Sequence, residues 1–196
     1  MNLSCKNNPI LRSLTALLLC AFLTLCLAAC GVKQGKATRW FKTVVDEDGY
    51  PSSAEFYEAF DKELSVEGLP GITFTIRNTE EFGPRLFMKK DGKEEMLFSW
   101  SGAVENAYFC DINGDGSPEL CTTRYLGSGI VDSRVNVLDF TDGKEYELAD
   151  RGNTDYELTE KDGKLLVIQR GAMSDRDKIL NEGPLQLKDG ELKIGK

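Results

Sequence analysis

The chain contains no histidine. That absence removes Ser-His and Cys-His nucleophile pairs and most catalytic zinc centres, which need imidazole as base or ligand. Carboxylate-only chemistry survives, since two acids at the right separation suffice for glycoside hydrolysis. Among 32 acidic residues, however, such pairs are unavoidable and single out no site. The expectation is a non-catalytic protein. Long apolar runs are equally scarce: beyond residue 30 no segment is long and apolar enough to span a bilayer as a helix. Cysteine is nearly absent from the body of the chain. Cys5, Cys20, Cys26 and Cys30 fall in the first thirty residues, leaving Cys110 and Cys121. Basic residues are outnumbered 24 to 32, which argues against a nucleic-acid partner.

What is present begins with a targeting segment. Lys6 and Arg12 precede or open the apolar run SLTALLLCAFLTLCLAAC (13–30), and the first acidic residue is Asp46. A secretory signal has this form and is not part of a fold. The run ends in Leu27-Ala28-Ala29-Cys30-Gly31, which resembles a bacterial lipobox. In such proteins the cysteine is acylated and becomes the mature N-terminus. The alternatives are an ordinary signal peptide or a plain membrane helix. On the lipobox reading residues 1–29 are removed and Cys30 carries the lipid. The membrane is then a partner through stable acyl anchoring, and the protein faces outward from the cell membrane. Losing residues 1–29 takes two basic residues and no acidic one, moving the net charge from −8 to −10. Residues 30–51 then read as lipidated N-terminus and tether, because GVKQGKAT (31–38) is polar and aperiodic. Residues 52–196 read as one domain.

Within that domain SSAEFYEAFDKEL (52–64) predicts a helix. Ser52 with Glu55 matches a capping box, and Phe56, Phe60 and Leu64 recur every fourth position. The remainder predicts short strands: ITFTIR at 72–77, then RLFMKK, EMLFSW, NAYFC, ELCTTRY, RVNVLDF, EYEL, DYELTE and KLLVIQR. Asp-Gly pairs at 91, 115, 142, 162 and 189 punctuate them, a hairpin signal because both residues tolerate positive φ. The expected fold is mainly β: an antiparallel meander of successive hairpins with one N-terminal helix, as a sandwich or as a single curved sheet.

One stretch carries ligand chemistry. FCDINGDGSPELC (109–121) places oxygen donors at every second position: Asp111, Asn113, Asp115, then Ser117 through its carbonyl, and Glu119. Calcium takes six to eight hard oxygen ligands, and a tight loop can supply them this way, with Gly116 allowing the sharp turn. The loop is not an EF-hand, since Thr122 stands where that motif needs a bidentate glutamate and the flanks read as strands. Zinc fits poorly with an all-oxygen donor set. The competing reading is a hairpin whose Asn-Gly and Asp-Gly only make turns. It leaves three like charges crowded at one tip. Cys110 and Cys121 flank the loop and form a candidate disulfide, with two reduced, half-buried thiols as the alternative.

The pattern D-x-N-x-D-G-x-x-E between strands resembles the calcium loops of FG-GAP and VCBS-type β repeats. The run 106–152, NAYFCDINGDGSPELCTTRYLGSGIVDSRVNVLDFTDGKEYELADRG, resembles an extracytoplasmic domain of clostridial and related Gram-positive lipoproteins. That domain also occurs appended to BlaR/MecR-type antirepressor membrane metallopeptidases. The resemblance extends from GLPGITFTI (68–76) to the C-terminus and brings no H-E-x-x-H motif. It implies an accessory or sensor module and transfers no catalytic residue. A second loop, YLGSGIVDSR (125–134), reads as a wide connection or as a recognition loop beside the acidic tip, with Arg124, Tyr125 and Arg134 as candidate ligand contacts. Two functions compete: a binding or sensing module for an envelope ligand, and a structural envelope lipoprotein whose calcium only holds a loop and which serves a membrane protein partner.

Overall fold

The computed structural model describes residues 34–45, 51–79, 83–98, 103–126 and 132–196. Residues 1–29, expected to be a signal peptide, Cys30, and the glycines of the 125–134 loop, Gly127 and Gly129, lie outside the described residues. The chain enters through β1 (Thr38–Lys42), then a small ribbon of β2 (Val44–Val45) and β3 (Pro51–Ser52), and helix α1 (Ala54–Ala59). A meander follows: β4 (Leu64–Ser65), β5 (Ile72–Thr79), β6 (Gly83–Lys90) and β7 (Lys93–Met96). The second meander is β8 (Val104–Cys110), β9 (Glu119–Leu126), β10 (Asp132–Asp139) and β11 (Lys144–Leu148), with β1 joining its outer edge beside β8. The third is β12 (Thr154–Lys161), β13 (Lys164–Gly171), β14 (Ile179–Lys188) and β15 (Glu191–Ile194).

The five-stranded sheet is the middle of three layers. Successive residues of a strand face opposite ways, and here both faces are buried. Ala107, Phe109 and Leu120 join a core with Phe41, Phe56, Phe74, Ile76 and Leu86, under the first meander and α1. Tyr108, Cys110, Cys121, Val135 and Val137 join the other core, against Leu158, Leu165, Val167 and Leu185 of the third meander. The mainly-β, antiparallel architecture of successive hairpins is as expected. β8 is buried at every residue, and the choice left open between sandwich and single curved sheet resolves into stacked sheets with the five-stranded one in the middle. Asn106 of β8 is satisfied across the layers. Asn106 donates to the Leu158 carbonyl (3.1 Å) and accepts from the Thr123 amide (3.1 Å), while Leu158 N–H donates to Thr123 Oγ1 (2.8 Å). These bonds cover the outer edge of β12, an edge that would otherwise invite foreign pairing.

Three of the Asp-Gly pairs close two-residue hairpins with both residues at positive φ: Asp91-Gly92, Asp162-Gly163 and Asp189-Gly190. Two expectations need correction. The segment read as tether is structural from residue 34 onward. Gln34 Nε2 donates to the Leu165 and Leu185 carbonyls (2.9 and 3.0 Å), its Oε1 accepts from Leu165 N–H (2.9 Å), and Phe41 is fully buried. Polarity misled there because Gln34 spends its side-chain amide on backbone groups of β13 and β14. The helix is also shorter than expected. Ser53, not Ser52, caps it, accepting from Phe56 N–H (3.1 Å). Phe60 already has extended backbone and bridges Ile76, so the period-four aromatics were split between a helix and a strand edge.

Candidate metal centre

The acidic loop connects β8 to β9 and is fixed on several sides. Gly35 N–H donates to the Asp111 carbonyl (2.7 Å), and a Cβ at Gly35 would stand 3.0 Å from Asp111 Cβ. Ile112 is fully buried in the core, and Gly68, at φ +90°, lies so close that its Cβ would meet Pro118 at 2.7 Å. The turn after β10 contributes Thr141, whose hydroxyl donates to Asp115 Oδ2 (3.2 Å).

Inside the loop the carboxylates are turned inward. Asp111 accepts from Gly114 N–H (2.6 Å) and Gly116 N–H (3.0 Å), both glycines adopting positive φ. Asp115 accepts from Ser117 N–H (2.8 Å), and Glu119 Oε2 accepts from Ile112 N–H (2.7 Å). Carboxylate oxygens of Asp111, Asp115 and Glu119 lie within 4.8 Å of one another. Glu119 is 1 % exposed, and its Oε1 is buried without a hydrogen-bond partner. Burial first, then the charges of Asp139, Asp111 and Asp115, push its carboxyl up to about 8. An orphan buried acceptor among like charges is costly unless a cation answers it. Two oxygens on one calcium ion stand up to about 5 Å apart, twice the ion–oxygen distance, so the span fits.

The three carboxylates among the five expected ligands therefore lie together. Asn113 stays in the loop but is tied elsewhere: its Oδ1 accepts from Asp115 N–H (2.8 Å) and its Nδ2 donates to Asp139 Oδ2 (3.2 Å). Ser117 contributes its N–H to the turn. Asp139, at the end of β10 and nearly buried, was not expected at this site. Its only sequence signal is an acid placed just before the Thr141-Asp142-Gly143 turn. Comparison with family models, curated proteins and solved structures finds no match. The geometry alone carries the site.

Cys110 and Cys121 are free, buried thiols. The register pairs Cys110 with Glu119 and Cys121 with Tyr108, so the two sit diagonally across the β8–β9 pair. Diagonal neighbours are about 7–8 Å apart, beyond disulfide reach. Burial pushes the Cys110 thiol up to about 12 and holds the Cys121 thiol well above its ordinary value. The candidate disulfide is thus replaced by two inert core thiols.

The expected neighbourhood of Arg124, Tyr125 and Arg134 is also corrected. In an antiparallel meander the β8–β9 and β9–β10 connections lie at opposite ends. Arg124 is five residues along β9 from Glu119, about 16 Å at strand rise, and pairs across with Arg134. What shares the acidic end is the turn between β10 and β11.

Proposed function

We propose that the chain is a membrane-anchored bacterial lipoprotein whose outward-facing β domain holds calcium at Asp111, Asp115 and Glu119 and works as a non-catalytic binding or sensing module. The anchor rests on the 13–30 run ending in Cys30. Among the described residues no helix is long and apolar enough to cross a membrane. The ion rests on one observation above others: the buried, partnerless Oε1 of Glu119 beside two further carboxylates. Calcium would leave all three ionised and join β8 to β9 at the base of the loop.

The test is thermal unfolding of the detergent-solubilised full chain with calcium, with magnesium and with chelator. Extracellular calcium modules bind at about 0.1–1 mM. At about 1 mM calcium, linkage then adds roughly 0.4–1.4 kcal/mol and raises Tm by about 1–6 °C. Asp115→Ala, an exposed position, should fold normally and lose the shift. No calcium-specific rise in the wild type overturns the ion site.

A further inference from the structure

A groove of about 460 Å³ opens between the end of β7 and the face of β9, β10 and β11. Its floor is polar and incompletely paired. The Arg124 side chain is 3 % exposed, yet its carboxylate neighbour, Glu145, stands 3.5 Å away and is half in solvent. The Phe98 carbonyl is also at 3.5 Å, the Phe98 ring lies 4.5 Å from the guanidinium, and Arg124 Nε has no partner. A buried guanidinium is normally held by close, bidentate carboxylate bonds. Arg134, directly across the strand pair, shows the contrast: Glu147 takes it with both oxygens (3.0 and 2.9 Å), and Asp132 takes it from the other side. Both arginines leave Nε unpartnered, but of the two only Arg134 is held by close carboxylate bonds.

Asn136 adds the complementary deficit. Its Nδ2 donates to Glu145 and Glu147 (3.2 Å each), while its Oδ1 is buried with no donor. Leu97, Phe98 and Leu138 supply apolar wall. Phe98 is held at φ +54°, a conformation that costs an aromatic residue energy and persists where the surroundings impose it.

We propose that this groove binds a ligand ending in a carboxylate next to an N–H, the chemistry of a free peptide C-terminus or an N-acyl amino acid. The carboxylate pairs with Arg124, displacing Glu145 into solvent. The N–H donates to Asn136 Oδ1, and the terminal side chain packs on Leu97, Phe98 and Leu138. This rests on the reading of the domain as a binding module and is independent of the calcium loop at the other end of β9.

The test is calorimetric titration of the detergent-solubilised full chain with acetylated dipeptides ending in alanine, leucine or phenylalanine, each beside its C-terminal amide. Titrations are run in calcium and in chelator, so a failed ion site does not mask the result. At least one free acid should bind ten-fold or more tighter than its amide, and Arg124→Gln should abolish binding. Glu145→Gln removes the competing carboxylate and should tighten the acid several-fold. That rim variant decides the matter if Arg124→Gln does not fold. Acid and amide binding alike, neither binding, or Glu145→Gln leaving the acid no tighter would each overturn the proposal.

Discussion

Glu105 is 8 % exposed at the start of β8, with Oε2 buried and unpartnered. Burial first, and Glu157 second, push its carboxyl up to about 7, against the pull of Lys42 and a hydrogen bond with Tyr125. An unfolded chain ionises this group near its ordinary 4.5. Between those values the unfolded state sheds its proton first, so stability falls as pH rises from about 4.5 to about 7 and then levels. A shift of this size is worth about 3 kcal/mol. Glu105→Gln should flatten that slope. Urea unfolding at pH 5 and pH 8 should show the wild type losing about 2–3 kcal/mol more than the variant; equal losses would acquit Glu105. Such residues are hidden from sequence reading because distant strands make their surroundings. Asp111, Asp115 and Glu119 were legible because their convergence is local, set by alternate spacing in one loop. Arg124 owes its state to Phe98 and Glu145, and Asp139 meets Asn113 only through the β10 register.

At the scale of elements, local chemistry predicted turns well and lengths badly. The Asp-Gly hairpins follow from backbone preference alone. Helix α1 does not: Phe60 and Leu64 obey a helical period, but Phe60 bridges Ile76 and Leu64 pairs with Phe74, so tertiary pairing ends the helix after Ala59. The cap offers a clean check. Ser53→Ala removes the side-chain acceptor for Phe56 N–H and also the Ser53 hydroxyl bond to the Lys42 carbonyl (2.8 Å). It should cost about 1 kcal/mol, the usual value of an N-cap. Ser52→Ala, one residue outside the cap, should cost less than half as much. Denaturant unfolding of both variants separates them, and the reverse order would restore the capping box at Ser52 and Glu55. The central sheet was the least legible element. Its strands carry apolar and hydrogen-bonded polar residues on two buried faces, so Asn106, Thr122 and Thr123 mimic the solvent-facing half of an ordinary alternating strand.

Across the whole molecule the N-terminal segment decides where the folding unit begins. Polarity alone suggests residue 52, whereas the contacts begin at Gln34. β1 covers the outer edge of β8, and Phe41 packs edge-on against Phe56 with ring centroids 5.4 Å apart. Burying one such side chain is worth about 1.5–3 kcal/mol. Each Gln34 hydrogen bond adds about 0.5–1.5 kcal/mol, against a total stability of about 5–15 kcal/mol for a typical domain. Removing residues 34–51 therefore takes a large part of the stability and bares an edge strand in the middle layer, where both cores meet. A chain beginning at Gln34 should be monomeric by size-exclusion chromatography and melt in one cooperative step. A chain beginning at Ser52 should aggregate or melt broadly at much lower temperature. If the two melt alike, β1 lies outside the cooperative unit and the polar tether reaches as far as residue 51.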